Sequence, residues 1–320
     1  MRTITLFALV TLLTGLTSSS CKKDDHHDPM IEGLTLENFP VIDGSTSTDP
    51  LIRLTAAKLL GYNYKWEIPD MLVTWELSTN LPTTFVEQYL KRSQTHGSII
   101  NLIDGGADLI FSARTLSTEE KAYADEAGVT LIETPIALDA LVFIKHKDVK
   151  INTLSHNQLQ EIYTARIKNW KDVGGKDLSI VPFVRNKNSG SQELMESLVM
   201  KEAISEGFYE EYYDDFQHVP SMYPLLTDVA HTEGGLGYTV FYYLTQIVRG
   251  GVFDDLTMIP VDGVAPDHRS IANRSYPFTA EVYLTIRSDL DQSSMAYKVY
   301  EYMKSPAGKP IITESGYVPY

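Results

Sequence analysis

The sequence predicts an α/β protein with mostly parallel sheets, on the strength of one recurring pattern and one absence. Short β-rich apolar runs recur along the chain, for example Leu109–Phe111, Ile180–Val184 and Glu281–Ile286. Between them lie segments with helical spacing, such as Leu51–Leu60 and Ser293–Ser305. Alternation of this kind is typical of parallel sheets covered by helices. No internal repeat of roughly 20–50 residues is visible, which excludes solenoids and propellers.

Length and charge narrow the possible functions. The chain has 320 residues, 43% hydrophobic and 22% charged, which is typical of a globular protein. The length indicates two domains, because single cores rarely grow past ~250–300 residues. With 27 basic and 42 acidic residues, the net charge of −15 argues against a nucleic-acid partner. The single cysteine excludes an internal disulfide and any multi-cysteine metal site.

The amino terminus has the layout of a secretory signal. Arg2 precedes an apolar run over Ile4–Leu16, which is shorter than the ~20 residues that cross a bilayer. The only cysteine, Cys21, follows a short stretch of small residues and resembles the lipidated residue of bacterial lipoproteins. We therefore expect a signal peptide over residues 1–20, a lipid anchor on Cys21 and a polar tether over residues 21–30. The alternative is a plain secretory peptide with a chance cysteine.

Three junctions between a predicted strand and the following helix share one construction. Each strand runs into a loop rich in hydroxyl groups and small residues: Asp43–Thr48, Ser112–Thr115 and Arg185–Ser191. After the second loop, Ser117 and Glu120 have the spacing of a capping box that starts a helix.

Loops of this kind can bind an anion, because free N–H groups at a helix start lie at the positive end of its dipole. Arg185 can clamp two oxygens of a tetrahedral oxyanion, with Ser189, the N–H of Gly190 and Ser191 completing the site. The alternative for any single loop is a simple helix cap. Three such loops in one chain favour an anion site.

The local signatures of common enzymes are absent. The sequence has no P-loop, no complete G-x-G-x-x-G, no H-E-x-x-H and no G-x-S-x-G motif. The eight histidines are scattered, and none lies near the hydroxyl loops in sequence. A Ser-His-Asp triad can still assemble in space, so a serine hydrolase that uses a loop serine remains an alternative.

The loops and the motifs around them resemble the phosphate-binding proteins of ABC importers. The first loop resembles the GSTS-type loop of that family, and the third closely resembles its R-x-x-x-S-G-[TS] loop. The helix and turn over Leu159–Gly175 match only partly, since Ala165 stands where glycine is usual. The matching segments occur in family order over about residues 35–320: Asp43–Pro50, Gly106–Glu120, Pro135–Val142, Leu159–Gly175, Arg185–Ser191, Gly234–Tyr238 and Ile271–Phe278.

This resemblance implies a type II periplasmic-binding-protein fold, with two α/β lobes joined by two crossover strands that act as a hinge. Lobe one would hold residues 31–139 plus 240–320, and lobe two residues 140–239. Carried over residue by residue, the ligand contacts fall on Ser45, Ser47, Thr48, Ser112, Arg185, Ser189, Gly190 and Ser191. We expect no cofactor, no metal and no catalytic residue.

One departure from the family concerns selectivity. Many members have an aspartate after the serine of the second loop, where this chain has Ala113 followed by Arg114. Phosphate keeps a proton at neutral pH and sulfate does not, so a selective site needs an acceptor for that proton. We expect Asp139 on the crossover strand to supply it, since Asp49 more plausibly caps the helix at Pro50.

The leading interpretation is an exported, lipid-anchored receptor of the cell envelope. It would capture phosphate, or a similar tetrahedral oxyanion, and present it to an ABC permease. The alternatives are the serine hydrolase and a surface sensor or scaffold with the same fold.

Overall fold

The computed structural model describes residues 28–69, 74–186, 189–201, 216–248 and 255–320. The predicted signal peptide, Cys21 and most of the tether lie outside the described residues. The strands are β1 Ile42–Gly44, β2 Tyr64–Glu67, β3 Glu76–Thr79, β4 Leu109–Ser112, β5 Leu131–His146, β6 Val181–Arg185, β7 Gln217–Val219, β8 Gly235–Val240, β9 Leu256–Ile259, β10 Thr279–Arg287 and β11 Val318–Pro319. The helices are α1 Asp49–Leu60, α2 Thr83–Tyr89, α3 Gln94–Ile103, α4 Thr118–Glu126, α5 His156–Tyr163, α6 Gly190–Leu194, α7 Met222–His231, α8 His268–Ala272, α9 Met295–Lys304 and α10 Lys309–Ser315. Short 3₁₀ or π turns occupy Trp170–Val173, Met195–Met200 and Tyr243–Ile247.

Nine of the described strands form one sheet, and β2 and β3 form a separate hairpin. The order in the large sheet is β1-β4-β10-β5-β8-β6-β7, and β9 and β11 also pair with β5. β1 pairs in parallel with β4, and β6 pairs in parallel with β7 and β8. The pairings of β5 and β10 are antiparallel. The α/β class is confirmed, and each strand that leads into one of the three predicted loops has a parallel neighbour.

β5 is a single strand of sixteen residues that includes the segment Pro135–Val142, which the sequence indicated as a crossover strand. Its first part pairs with β10 and its second part with β8 and β9. β5 contains Pro135, and proline cannot donate a ladder hydrogen bond. The chain accommodates it with a register shift opposite Val282 and Tyr283, and the strand continues.

Two large hydrophobic cores lie on either side of the middle of β5. One contains Leu51 of α1, Leu109 of β4 and Val299 of α9, and the other contains Phe143 of β5 and Tyr238 of β8. This packing differs from the predicted lobe boundaries at one place. Residues 256–280 were assigned to the first lobe, but side chains from this segment join the second core, because β9 pairs with the second part of β5.

Local signals account for most of the helix starts near the site. The predicted capping box is confirmed, since Ser117 Oγ accepts from Glu120 N (3.2 Å) and the Glu120 carboxylate accepts from Ser117 N (2.8 Å). Helix α3 was not predicted. It contains Gly97, and its first residue, Gln94, has a φ of +64°, so no cap signature marks its start. Across the described ranges, no helix is both long enough and apolar enough to span a bilayer.

Gly234, directly before β8, tests how closely this turn packs against the backbone at Ser179. Its φ is +81°, and a Cβ added there would lie 2.2 Å from Ser179 O. We expect Gly234→Ala to lower the free energy of unfolding by more than ~2 kcal/mol, since backbone strain and a backbone clash add. Gly263→Ala is the matched control, because Gly263 has a φ of +79° with no neighbour within 4 Å of the added Cβ. Urea unfolding of the two variants measures the difference, and equal losses would contradict the close approach at Gly234.

Candidate functional site: a cleft between the two lobes

The first loop follows β1 and is tied to the neighbouring strand β4. Ser45 N and the Thr48 hydroxyl both donate to Phe111 O, at 3.3 and 2.9 Å. Ser45 Oγ lies 3.1 Å from Ser47 Oγ and 3.0 Å from Thr48 Oγ1. The residue before the loop must be small, because a Cβ on Gly44 would lie 2.7 Å from the same carbonyl. The loop hydroxyls are therefore gathered at the start of the twelve-residue helix α1, where the dipole favours an anion.

The second loop follows β4 and places an arginine between the lobes. The Arg114 guanidinium binds both carboxylate oxygens of Glu120, with Nη1–Oε2 at 2.7 Å and Nη2–Oε1 at 2.9 Å. Its Nε lies 2.5 Å from Glu193 Oε2 on α6, an ion pair without the alignment of a hydrogen bond. Burial alone would raise the pKa of Glu120, but hydrogen bonds from Arg114, Ser117 and His96 lower it to about 2. Arg114 is thus directed at two acids, one on its own lobe and one on the other.

The third loop follows β6, and uncharged acceptors orient its arginine. Arg185 Nε donates to Val219 O (3.0 Å), and Nη2 donates to Pro220 O (3.2 Å). Nη1 donates to Ser191 Oγ (3.3 Å). Ser189 is the N-cap of α6, and its Oγ accepts from Gln192 N (3.2 Å). These contacts hold the guanidinium in place through uncharged oxygen acceptors.

The first and third loops meet at a cleft of about 240 Å³. Six of the nine predicted ligand contacts line it: Ser45, Ser47, Arg185, Ser189, Gly190 and Ser191. The other three do not line it. Thr48 is fully buried with its hydroxyl bonded inside the first loop, and Ser112 Oγ donates to Arg114 O (2.8 Å). Asp139 is buried beside the hinge.

The cleft also has lining residues that the sequence did not single out. Gln94 and Thr95, at the start of the unpredicted helix α3, face the third loop. A Cβ added to Gly190 would lie 3.4 Å from Thr95 Oγ1, which shows how closely the two lobes approach here. Tyr223 and Tyr243 line the cleft as well. Among these four residues, only Thr95 has a side chain of the kind found in the predicted loops. No motif surrounds it, so the sequence did not indicate that it lines the cleft.

The charges around the cleft suit an oxyanion. None of the described lining residues is an aspartate, a glutamate or a histidine, whereas Arg185 supplies a positive charge and several hydroxyls supply donors. Burial raises the pKa of Tyr243 to about 12, against the opposing charges of Arg185 and Arg92, so its phenol stays protonated. Over the described ranges, no group of three or more His, Cys, Asp or Glu side chains could hold a metal ion.

Asp139 occupies a hinge position and does not contact the cleft. Its Oδ1 accepts from Ala140 N (2.8 Å) and from Tyr242 N (2.9 Å), and Tyr242 lies where the chain returns from β8. The ring of Tyr242 stacks on Tyr317 at 3.9 Å, and the Tyr317 hydroxyl donates to Ser47 O (3.0 Å). Asp139 is therefore linked to the first loop through two tyrosines. The predicted direct contact between Asp139 and the ligand has no counterpart in this geometry.

The pH dependence of stability tests the environment of Asp139. Burial raises its pKa from 3.8 to about 7, although the N–H groups of Tyr242 and Ala140 oppose the shift. The folded protein thus keeps a proton that the unfolded chain releases, and wild type loses stability as the pH rises from about 4 to about 7. Asparagine mimics the protonated acid and does not ionise. We expect the free energy of unfolding of Asp139→Asn to exceed that of wild type by on the order of 4 kcal/mol at pH 8. This gain should vanish near pH 4. Thermal unfolding at several pH values measures this gain, and a difference independent of pH would contradict the raised pKa.

Comparisons with known proteins agree with this geometry. The phosphate-binding protein PstS of Bacillus subtilis is 25% identical over 280 residues, which cover 87% of this chain and 79% of that protein. PstS of Borreliella burgdorferi is 23% identical over 310 residues, covering 97% and 96%. The crystal structure of an ABC-type phosphate transport receptor from Vibrio cholerae has a TM-score of 0.61 at 22% identity, covering 88% of this chain and 99% of that one. These matches confirm the two-lobe α/β fold and the resemblance to phosphate-binding proteins.

A family model for the PBP superfamily domain matches residues 41–306. The match includes all three predicted loops and extends over both cores. The chain belongs to the PBP superfamily.

Proposed function

We propose that this protein is a receptor that captures phosphate between its two lobes and delivers it to an ABC permease. The observation that carries the proposal is the cleft, where Arg185 and hydroxyls from both lobes converge without a described carboxylate. The first loop comes from one lobe, and the third loop comes from the other. An anion bound between them contacts both lobes at once and stabilises their approach.

The relatives support the transport role. Proteins named as phosphate-binding PstS match this chain over most of its length, and one similar structure is described as an ABC-type phosphate transport receptor. We extend the proposal to an exported envelope protein whose signal peptide, residues 1–20, is removed and whose lipid is attached to Cys21. The supporting observation is the lone cysteine directly after the apolar run. The lipid would hold the receptor at the membrane, near its permease.

The lining of the cleft favours a receptor over a serine hydrolase. A nucleophilic serine needs a general base within hydrogen-bond reach. The loop serines of the described cleft have other hydroxyls, backbone groups and Arg185 as neighbours, and no described histidine or carboxylate lines the cavity. The sensor alternative shares the same site and differs only in the absence of a permease partner.

Removal of the arginine charge is the first test of phosphate capture. We expect Arg185→Ala to weaken phosphate binding at least ~100-fold, because charge-assisted hydrogen bonds contribute ~1.5–3 kcal/mol each. Arg185→Lys should also bind weakly, since lysine keeps the charge but cannot reproduce the contacts with Val219 O and Pro220 O. Isothermal titration calorimetry with inorganic phosphate measures both.

Arg269→Ala is the matched control for these variants, because Arg269 is exposed on α8 and does not line the cleft. Phosphate at 100 times its dissociation constant should stabilise wild type and the control by ~2.7 kcal/mol. Thermal unfolding without ligand shows whether the Arg185 variants are folded. Wild-type affinity in a folded Arg185→Ala variant would contradict the proposal.

The absence of a described carboxylate in the cleft gives a prediction about selectivity. Among the described lining residues, the acceptors for the proton of phosphate are hydroxyl and carbonyl oxygens, and one neutral hydrogen bond contributes only ~0.5–1.5 kcal/mol. We therefore expect phosphate to bind no more than about tenfold tighter than sulfate at pH 7. Asp139→Asn should leave this margin unchanged, because Asp139 does not line the cleft. Competition calorimetry measures the margin, and a preference above 100-fold would require a carboxylate acceptor at the anion.

A further inference from the structure

A second cavity, larger than the cleft, lies beside it. It has a volume of about 440 Å³ and is bounded by the start of α1, the β2–β3 hairpin and the turn around Tyr243. The phosphate group has five heavy atoms, which take the room of about three waters, or roughly 90 Å³. The cleft of 240 Å³ already exceeds that need. The second cavity therefore provides room that inorganic phosphate does not use.

The two cavities share a wall. Thr46 of the first loop and Tyr243 line both of them. Thr46 lies between Ser45 and Ser47, whose hydroxyls face the anion site. A ligand with its phosphoryl group in the cleft can thus extend a covalently attached group past these two side chains into the larger cavity.

The side chains of the second cavity suit a hydroxyl-rich group. Its described lining includes threonine and serine hydroxyls, the carboxylates of Asp49 and Glu76, and the half-buried Trp75. Carboxylates accept from hydroxyl donors, guanidinium groups donate to hydroxyl oxygens, and an indole ring packs against C–H groups. A mixed lining of this kind provides hydrogen-bond donors and acceptors for the oxygens of a polyol and a flat apolar surface for its carbon skeleton.

Two arginines of this cavity differ in their contacts. Arg53 Nε is hydrogen-bonded to Asp49 Oδ2 at 2.9 Å. Arg92 is exposed at the cavity and makes no hydrogen bond or ion pair with any residue in the described part of the chain. Its charge acts on Tyr243, so it lies near the shared wall. Arg92 is therefore available to donate to an oxygen of a ligand that passes Tyr243.

We propose that the site accepts phosphate monoesters of sugars or polyols, with the phosphoryl group in the cleft and the alcohol in the second cavity. This inference rests on the proposed function, since it uses the same anion site. Trp75 and Arg92 would bind the alcohol and make no contact with the phosphoryl group.

Calorimetric titration of the whole chain with four probes tests the proposal: inorganic phosphate, methyl phosphate, glucose 6-phosphate and glucose. Glucose 6-phosphate should bind at least as tightly as inorganic phosphate, methyl phosphate should bind, and glucose alone should bind at least 100-fold more weakly. If inorganic phosphate binds and both esters are more than 100-fold weaker, this inference is wrong and the proposed function stands. If no phosphate compound binds, the proposed function fails as well. If the esters bind and inorganic phosphate does not, the inference holds and the ligand of the proposed function must be corrected.

Variants of the second cavity locate the alcohol. Trp75→Ala and Arg92→Gln should each weaken the binding of glucose 6-phosphate about tenfold and leave the binding of inorganic phosphate unchanged. Arg269→Gln is the control for charge, because Arg269 is exposed and lies outside both cavities. Ester binding that neither cavity variant alters would show that the alcohol lies elsewhere and would overturn the assignment of this cavity. Melting curves without ligand confirm that each variant is folded.

Discussion

The binding site depends on β5, a long strand whose residues belong to both hydrophobic cores. Its sixteen residues span about 50 Å at about 3.3 Å per residue, and its middle crosses from one core to the other. Asp139 lies at this crossing and binds the N–H of Tyr242, where the chain returns from β8. Tyr242 stacks on Tyr317, whose hydroxyl reaches Ser47 in the first loop. The outgoing and returning crossings are thus bonded to each other and, through Tyr317, to the first loop.

The approach of the lobes is stabilised in part by an ion pair that the chain itself supplies. Arg114 binds Glu120 of its own lobe through two hydrogen bonds and lies 2.5 Å from Glu193 of the other. Glu193 is on α6, directly after the third loop, so this contact joins the second loop to the third. Arg114, which follows Ala113 in the second loop, therefore serves the interface between lobes. Its charge is shared by two acids, and Arg185 remains the cation at the cleft.

Strand-to-loop junctions made much of the site predictable from sequence. Serines after β1 and the R-x-x-x-S-G-S segment after β6 are local patterns. Parallel pairing brings the carboxyl ends of β1 and β4 to one edge of the first lobe, and the loop after β6 faces them from the second lobe. Thr95, Tyr243 and the second cavity were not predictable, because tertiary packing of α3 and the β2–β3 hairpin places them there and no motif marks them. The sequence did not show which way the Asp139 side chain points, because successive side chains of a strand lie on opposite faces. The packing of side chains from residues 256–280 in the second core was not visible in the sequence, because the pairing of β9 with β5 is a long-range contact.

A crystal structure of the protein with inorganic phosphate would show whether the two loops form one site. We expect one phosphate between the lobes, with its oxygens bound by Arg185, by Ser45 or Ser47 of the first loop, and by the Ser189–Ser191 segment. An anion bound only at the surface, or contacts from a single lobe, would contradict the claim that both loops form one phosphate site.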